Sequence, residues 1–459
     1  MSTLRPLTVS QRLAAFTHGL RFEDLPADVV EQAKDRLLDS LSTGIAAHGL
    51  PVPNVAMAIA LGNQGPATII GAAGGYPIVD AALVNATLIN GRTQDDFLAK
   101  SHPGAVVVPA ALAVGEAEGA SGRDFLTALV IGYDVVARAY LGGPGMLPRF
   151  RATGVAGCIG AAAAAAKLLR LDAEQTADAL GCSAVFAAGI GAGFLTGTMD
   201  VKLNVGMASR NGATAALMAR AGATASPLEF EGEAGFYKAV ANTAEYAERT
   251  VHGLGEHFLI ADTIYKEYPV CIFVQTPVTL ARGLAEQLGR AVAEIEKVTV
   301  TVSDLTYTNP GFTNVAPFAS ALNARVSARF CIAAALLGRP IDEYEYYSNY
   351  TDADVLALAD KIDLVLDPVR ADIVDVEIRT ALGKVVSARG GEGETLHPTR
   401  QKIAGKFTRI TGTLLGTRGE RILEMVHKLD TLENIGTLAQ LLRANREPGG
   451  AAIVSEAAQ

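Results

Sequence analysis

The sequence predicts a mainly α-helical protein: a large all-helical domain carrying a smaller, inserted α+β lid. Three observations predict it. Residues 1–265 show helix-period apolar patterning with almost no strand-like alternation. Period-two alternation enters only after Tyr265, in three short runs. Beyond about residue 402 the composition returns to that of the first part. The helical domain is therefore expected to comprise residues 1–265 and 403–459, and the lid residues 266–402.

In the first part, helices are expected over residues 11–18, 26–48, 79–90, 106–119, 122–140, 153–169, 173–188, 206–221 and 235–241. Pro26 followed by Ala27 and Asp28 opens one of them, and Asp172 caps another. Abundant Ala and Gly let such helices approach closely, and a bundle is the simplest packing that buries them. The alanine-rich run over 155–169, closed by Lys167 and Arg170, is too short to span a bilayer and reads as a buried helix. In the lid, antiparallel strands are expected over 296–303, 375–379 and, after a turn at Ala381, Leu382 and Gly383, over 384–388. Helices over 276–288, 320–337 and 352–361 lie between them, and two more follow over 400–415 and 418–428. The stretch from Pro448 onward is expected to be mobile or an oligomer contact.

With 459 residues, 49% apolar and 19% charged, the chain has ample side chains for real cores. A formal charge of −9 opposes a nucleic-acid surface, which needs Lys and Arg to displace counterions. An anionic ligand would need a locally basic pocket. Cys158, Cys182, Cys271 and Cys331 are far apart and lack metal or redox spacing, which fits reduced thiols in a cytoplasmic protein. The N-terminal residues have no continuous apolar stretch, so no secretion signal and no membrane association are expected. The glycine-rich loops match neither a Walker loop nor a dinucleotide fingerprint, and His252 with His257 is too weak a pair for a metal site. The expectation is no cofactor and no metal.

Three segments carry chemistry. The first runs from Asn90 through Arg92, Asp95, Asp96 and Phe97 to His102, Pro103 and Gly104. Paired carboxylates beside a histidine can form an acid/base unit, or can simply cap a helix terminus. The second places Lys202 on a glycine-flanked loop before a helix expected at Gly206, a suitable carboxylate site or an ordinary surface lysine. The third, Lys266 through Tyr268 and Pro269 to Cys271, lies at the expected domain junction, where small-molecule sites tend to form. Cys271, without a basic neighbour, reads as a pocket-lining residue rather than a nucleophile.

Taken in order, these segments, with Gly157 and the alanine helix, Gly206, Gly212, His397, Pro398, Lys406 and Phe407, resemble the MmgE/PrpD family. The family includes 2-methylcitrate dehydratase, cis-aconitate decarboxylase and iminodisuccinate epimerase. The resemblance covers nearly the whole chain. It implies a helical domain with an α+β lid, a pocket between them, a homodimer, a small anionic polycarboxylate substrate and no cofactor. His102 matches the family's histidine and Lys266 its junction lysine, while Asp95 and Asp96 match half of its aspartate motif.

Other positions depart from the pattern. Thr93 replaces the leading aspartate, Phe97 stands at a frequent threonine, and Arg151 replaces a second histidine. Lys202 is one place off, Gln275 replaces a histidine, and Phe330 aligns with a tyrosine. The resemblance and these changes assign catalysis to His102, Lys266, Lys202 and Asp96. Substrate contact falls to Arg151, Arg92, Asp95, Cys271 and Gln275.

All family reactions move a proton beside a carboxylate, with cations helping the enolate-like intermediate. Losing a histidine, an aspartate and a phenol depletes the groups that protonate a leaving group. Tyr140, Tyr265 and Tyr268 are the candidates for a second proton. The expectation is an isomerase or epimerase. The alternatives are a lyase of the dehydratase or decarboxylase type, and a binding protein that has lost its chemistry.

Overall fold

The computed structural model describes residues 6–60, 65–371, 373–391 and 395–444. The C-terminal stretch from Pro448 lies outside the described residues. The helical part opens with α1 (Val9–Gly19), where Thr8 and Gln11 form a capping box, then α2 (Ala27–Ala46) and α3 (Pro51–Ile59). It continues with α4 (Ile78–Gly91), α5 (Pro103–Glu118), α6 (Gly122–Gly142), α7 (Ala152–Leu168) and α8 (Ala173–Phe186). Asp172 and Gln175 cap α8 as a second capping box. The short α9 (Ala192–Thr196), α10 (Asp200–Arg220) and α11 (Phe236–Ala241) complete the first part.

Helix α7 is the axis of this bundle, packed by α5, α6, α8 and α10. Its alanines are fully buried, and glycines set its approach to α6. A Cβ on Gly160 would stand 2.5 Å from the Gly132 carbonyl and would clash with Val136. Helix α6 is long and apolar enough to cross a membrane, but 89% of its most apolar window is buried inside the bundle. Here it serves as a core helix.

The lid begins with α12 (Ile272–Leu288), β1 (Ile295–Val302), α13 (Asp304–Tyr307), α14 (Ala321–Val326), α15 (Ala328–Leu336) and α16 (Ala353–Ala359). Then come β2 (Ile362–Leu366), β3 (Ile373–Thr380) and β4 (Val385–Gly391). The sheet order is β2-β1-β3-β4; β3 is antiparallel to β1 and β4, whereas β2 is parallel to β1. The chain closes with α17 (Arg400–Leu415), packed on α2, then α18 (Thr417–His427) and α19 (Gly436–Leu442). Among the described residues, one large hydrophobic core takes side chains from Val9 to Tyr265 and again from Ile403 to Leu442. A second runs from Tyr268 to Ile378.

The mainly α fold with a small α+β part is as expected, and three details differ. Among the described residues there are four strands rather than three: β2 is only five residues long and follows α16 within three residues, so its alternation merged into the helix expected over 352–361. The single helix expected over 320–337 is broken at Ser327, whose hydroxyl accepts from the Phe330 amide and donates to the Asn314 carbonyl. Helix α10 begins at Asp200 rather than Gly206, so Lys202 is in a helical first turn and not on a loop.

The tight α6–α7 contact makes a direct prediction. Gly160→Ala should lower stability by about 1–3 kcal/mol through overpacking. Gly283→Ala, mid-helix in α12 with nothing within 4 Å, should raise it by about 0.5–1 kcal/mol. Thermal unfolding of both variants checks this, and shifts of the same sign would contradict the packing described.

Candidate functional site

The site is organised by the segment from Arg92 to His102, which leaves the C-terminus of α4 and enters α5. Three of its non-glycine residues, Thr93, Ala99 and Lys100, have φ of 60°, 46° and 59°, a left-handed conformation that L residues adopt at a cost. The segment is held by a bridge between Phe97 and Ile264, bonded both ways at 2.9 Å, and by reciprocal bonds between Leu98 and Ser101. Tyr265 in turn bonds the Leu396 carbonyl at 3.0 Å. Both chain crossings between the two cores therefore meet at this segment.

Three lysines grip it, Lys266 and Lys406 buried and Lys202 partly buried. Lys202 Nζ donates to the carbonyls of Asn90 (2.6 Å) and Gly91 (2.9 Å) and to Thr93 Oγ1 (3.0 Å). Its charge thus caps the negative end of α4. Lys406 donates to Asp39 Oδ1 (2.7 Å) and to the carbonyls of Lys266 (2.8 Å) and Gln94 (2.9 Å). Lys266 donates to the Thr93 carbonyl at 3.3 Å. An ammonium has three N–H bonds. Those of Lys202 and Lys406 are fully committed, whereas Lys266 has one acceptor among the described residues. Burial lowers the pKa of Lys202 and of Lys266; Arg325 adds to the effect on Lys202, and Asp95 opposes both.

Asp95 is the carboxylate at the centre. Its Oδ2 accepts from Asn90 Nδ2 at 2.7 Å and lies 3.4 Å from His102 Nδ1, while the buried Oδ1 has no hydrogen-bond partner. Burial raises its pKa, but His102, Lys266, the Asn90 amide and Lys202 outweigh that and hold it below the usual range. It is ionised.

His102 sits at the N-terminus of α5, with 13% of its side chain exposed and Phe97 edge-on to its ring at 5.4 Å. Its Nδ1 is 2.7 Å from the Asp96 carbonyl oxygen. A carbonyl can only accept, so the ring proton is on Nδ1 and Nε2 carries the lone pair. Burial lowers the His102 pKa to about 3, with Lys266 and Arg151 adding to the effect and Asp95 opposing it. The imidazole is neutral.

The expected site residues differ in how far the protein itself occupies their polar atoms. Asp96, expected to be catalytic, has both oxygens occupied, by Tyr133 Oη–H at 2.6 Å and the Gly104 amide at 3.0 Å. It positions His102 and the start of α5, and Gly104 must be glycine there because a Cβ would lie 2.5 Å from Ser40 Oγ and 2.9 Å from Asp96 Oδ1. Burial raises the Asp96 pKa to about 7. Gln275, expected to touch substrate, spends its amide on the Glu267 and Tyr268 N–H groups and the Tyr268 and Val270 carbonyls, so it staples the junction turn. Cys271 accepts from Asn309 Nδ2 at 3.5 Å, and burial pushes its thiol up, which keeps it protonated.

Arg151 caps the start of α7 and donates to the Val201 carbonyl; burial lowers its pKa to about 10, with Asp95 opposing. Arg92 reaches the lid, 3.4 Å from Glu345 Oε1 and over the Tyr344 ring. Of the tyrosines considered, Tyr265 is stacked under Arg36 with its hydroxyl buried and unbonded.

The structure thus gathers Asp95, His102, Lys202, Lys266 and Arg151 around one segment and sets Asp96 and Gln275 behind it. Three participants were missed. Tyr133 and Asp39 lie in α6 and α2 with no local signal, and Arg325 sits in an ordinary helical pattern.

The His102 pKa has a consequence for stability. The unfolded residue binds its proton near pH 6.5 and the folded one only near 3, so its contribution falls as pH drops from 6.5 toward 3. Asp96 runs the other way: raised from 3.8 to about 7, it contributes stability that is present at low pH and lost as pH rises through 7. His102→Asn removes the first effect alone. Relative to the parent, it should gain about 2 kcal/mol between pH 7 and pH 5 in denaturant unfolding; a constant difference would show that the imidazole is not held neutral.

Comparison with known proteins identifies a family. Residues 11–249 match the MmgE/PrpD N-terminal domain and residues 268–431 the MmgE/PrpD C-terminal domain. A cis-aconitate decarboxylase-like protein of Aspergillus oryzae is 28% identical, covering 95% of this chain and 97% of its own. The cis-aconitate decarboxylase of Aspergillus terreus is 25% identical, covering 95% and 96%, and that of Mus musculus 25%, covering 95% and 93%. Because the two domain matches together span most of the sequence, the chain belongs to the MmgE/PrpD family of enzymes.

Proposed function

We propose that the protein is a cofactor-independent carbon–carbon lyase that removes carbon dioxide from a small, unsaturated polycarboxylate. The observation that carries this is the His102 tautomer. With Nδ1 fixed by the Asp96 carbonyl and facing Asp95, the ring exchanges protons through Nε2, in the field of Lys266 and Arg151. Decarboxylation needs one proton delivery: the C–C bond to the departing carboxylate breaks, its electron pair forms the new C=C, and the old alkene carbon takes a proton from His102 Nε2–H. Lys266, with one acceptor among the described residues, and Arg151 hold carboxylates and stabilise the charge that develops.

The relatives' names favour this lyase reading over the isomerase expected from the sequence. An isomerase must also return the proton, and Lys202 and Asp96 are fully bonded elsewhere. Four free cysteines support a cytoplasmic setting. Val185, Ile190, Met199 and Met207, exposed by 64, 70, 46 and 39%, support a homodimer.

Incubation with unsaturated di- and tricarboxylates in deuterated water is the test. The expected result is one carbon dioxide and one deuterium in product per turnover, with His102→Asn slower by about 10²–10⁴-fold. Deuterium uptake without carbon dioxide would indicate an isomerase, and release of water a hydro-lyase.

The acid must also be loaded. A polyanion neutralises Lys266 and Arg151, which raises the His102 pKa, so binding near pH 6 should take up a proton. Calorimetry in buffers of different ionisation enthalpy should show the uptake in the parent and its loss in His102→Asn. Uptake that persists in the variant would remove His102 as the acid.

A further inference from the structure

Arg325 lies near the end of α14 and is 5% exposed, yet its Nε and Nη1 have no hydrogen-bond partner among the described residues. Its guanidinium stands 4.4 Å from the centre of the Tyr344 ring, and Arg92 approaches the same ring at 5.1 Å. Two arginines, one from each side of the domain junction, therefore share a single phenol. The Arg325 carbonyl accepts from the Cys271 amide at 3.2 Å, which ties it to the turn that carries Lys266. Of the charges that disfavour the Lys202 ammonium, Arg325 is the strongest.

A guanidinium buried without hydrogen bonds forfeits its hydration, and a ring face returns only part of that. Converging a second guanidinium and a lysine on it adds repulsion. Such an arrangement is retained where an anion completes it, and the planar guanidinium is suited to a carboxylate.

We propose that Arg325 is a substrate-binding residue, supplying from the lid the contact to one carboxylate of a substrate whose other carboxylate is held by Lys266 and Arg151. The inference rests on the polycarboxylate reading above and adds to it a residue and a side: one carboxylate is read by the helical bundle and the other by the lid. Glu345, 3.4 Å from Arg92, occupies the Arg92 guanidinium in the meantime, so Arg325 is the arginine left for the ligand.

The test uses propane-1,2,3-tricarboxylate as probe, with the full chain and its Arg325→Met, Arg325→Lys and Lys266→Met variants. Binding is read by calorimetry, and thermal unfolding is read with and without probe. Arg325→Met should bind at least 10-fold more weakly while unfolding, without probe, at the same temperature as the parent or higher, because a costly buried charge is gone. Arg325→Lys should recover part of the affinity.

Probe affinity of Arg325→Met within threefold of the parent would overturn the role. So would lower unliganded stability in Arg325→Met together with no recovery in Arg325→Lys, which marks a structural arginine. If the parent itself does not bind the probe, the polycarboxylate reading falls and this one with it. If the parent binds and Lys266→Met weakens binding but Arg325→Met does not, only the Arg325 assignment fails.

Discussion

Burying cations without matching carboxylates is the constraint on which this site depends. Lys266 and Lys406 are removed from water and Lys202 is partly so, and among the described residues they hydrogen-bond between them to one carboxylate, Asp39. The rest of their hydrogen bonds go to main-chain carbonyls and one hydroxyl between Asn90 and Lys266. Carbonyl dipoles offset much of the cost of desolvating an ammonium but carry no net charge. The region stays positive inside a chain whose formal charge is −9. Thr93, where the resemblance leads one to expect aspartate, receives both Lys202 and Lys266 and preserves that excess.

The same bonds explain how a strained segment persists. Left-handed φ values at Thr93, Ala99 and Lys100 cost about 1 kcal/mol or more each. They are held because the carbonyls of Asn90, Gly91, Thr93 and Gln94 are pulled toward the three lysines, while Phe97 and Leu98 are fixed by paired main-chain bonds. The bend turns the Asp96 carbonyl onto His102 Nδ1. Backbone conformation thereby selects the imidazole tautomer, and Tyr133 and Gly104 fix the same residue from behind.

Much of the fold was legible because helix periodicity is a local property. The helices from α4 to α8 begin and end within a few residues of the ranges their periodicity predicts, and β1, β3 and β4 follow their alternation. What was hidden depends on partners distant in sequence. Five residues of β2 become a strand by pairing with β1, 64 residues earlier in the chain, Ile362 opposite Val298. Ser327 breaks a helix because Asn314 offers it an acceptor. In the site, residue types pointed to the right segments but not to their use. Asp95 and Asp96 are adjacent and identical in chemistry, yet one faces cations and the other an amide and a phenol. Gln275 reads like a ligand contact until the loop carbonyls around it are located.

The division of charge between the two parts of the molecule bears on how the site works. Asp95, His102, Arg151 and Lys202 belong to the helical bundle. Arg325, Tyr344 and Cys271 belong to the lid, and Lys266 lies on the chain between them. Arg92 and Arg325 repel across the junction, and Tyr344 and Glu345 offset that in part. On the polycarboxylate reading, a bound anion would reverse the sign of the interaction between the two parts. Binding energy from carboxylates remote from the reacting carbon would then be spent on bringing lid and bundle together around His102. Specificity would follow from spacing: a substrate must place one carboxylate against each part while presenting its reacting carbon to Nε2. A monoacid, however well it fitted beside His102, would leave half of the repulsion in place.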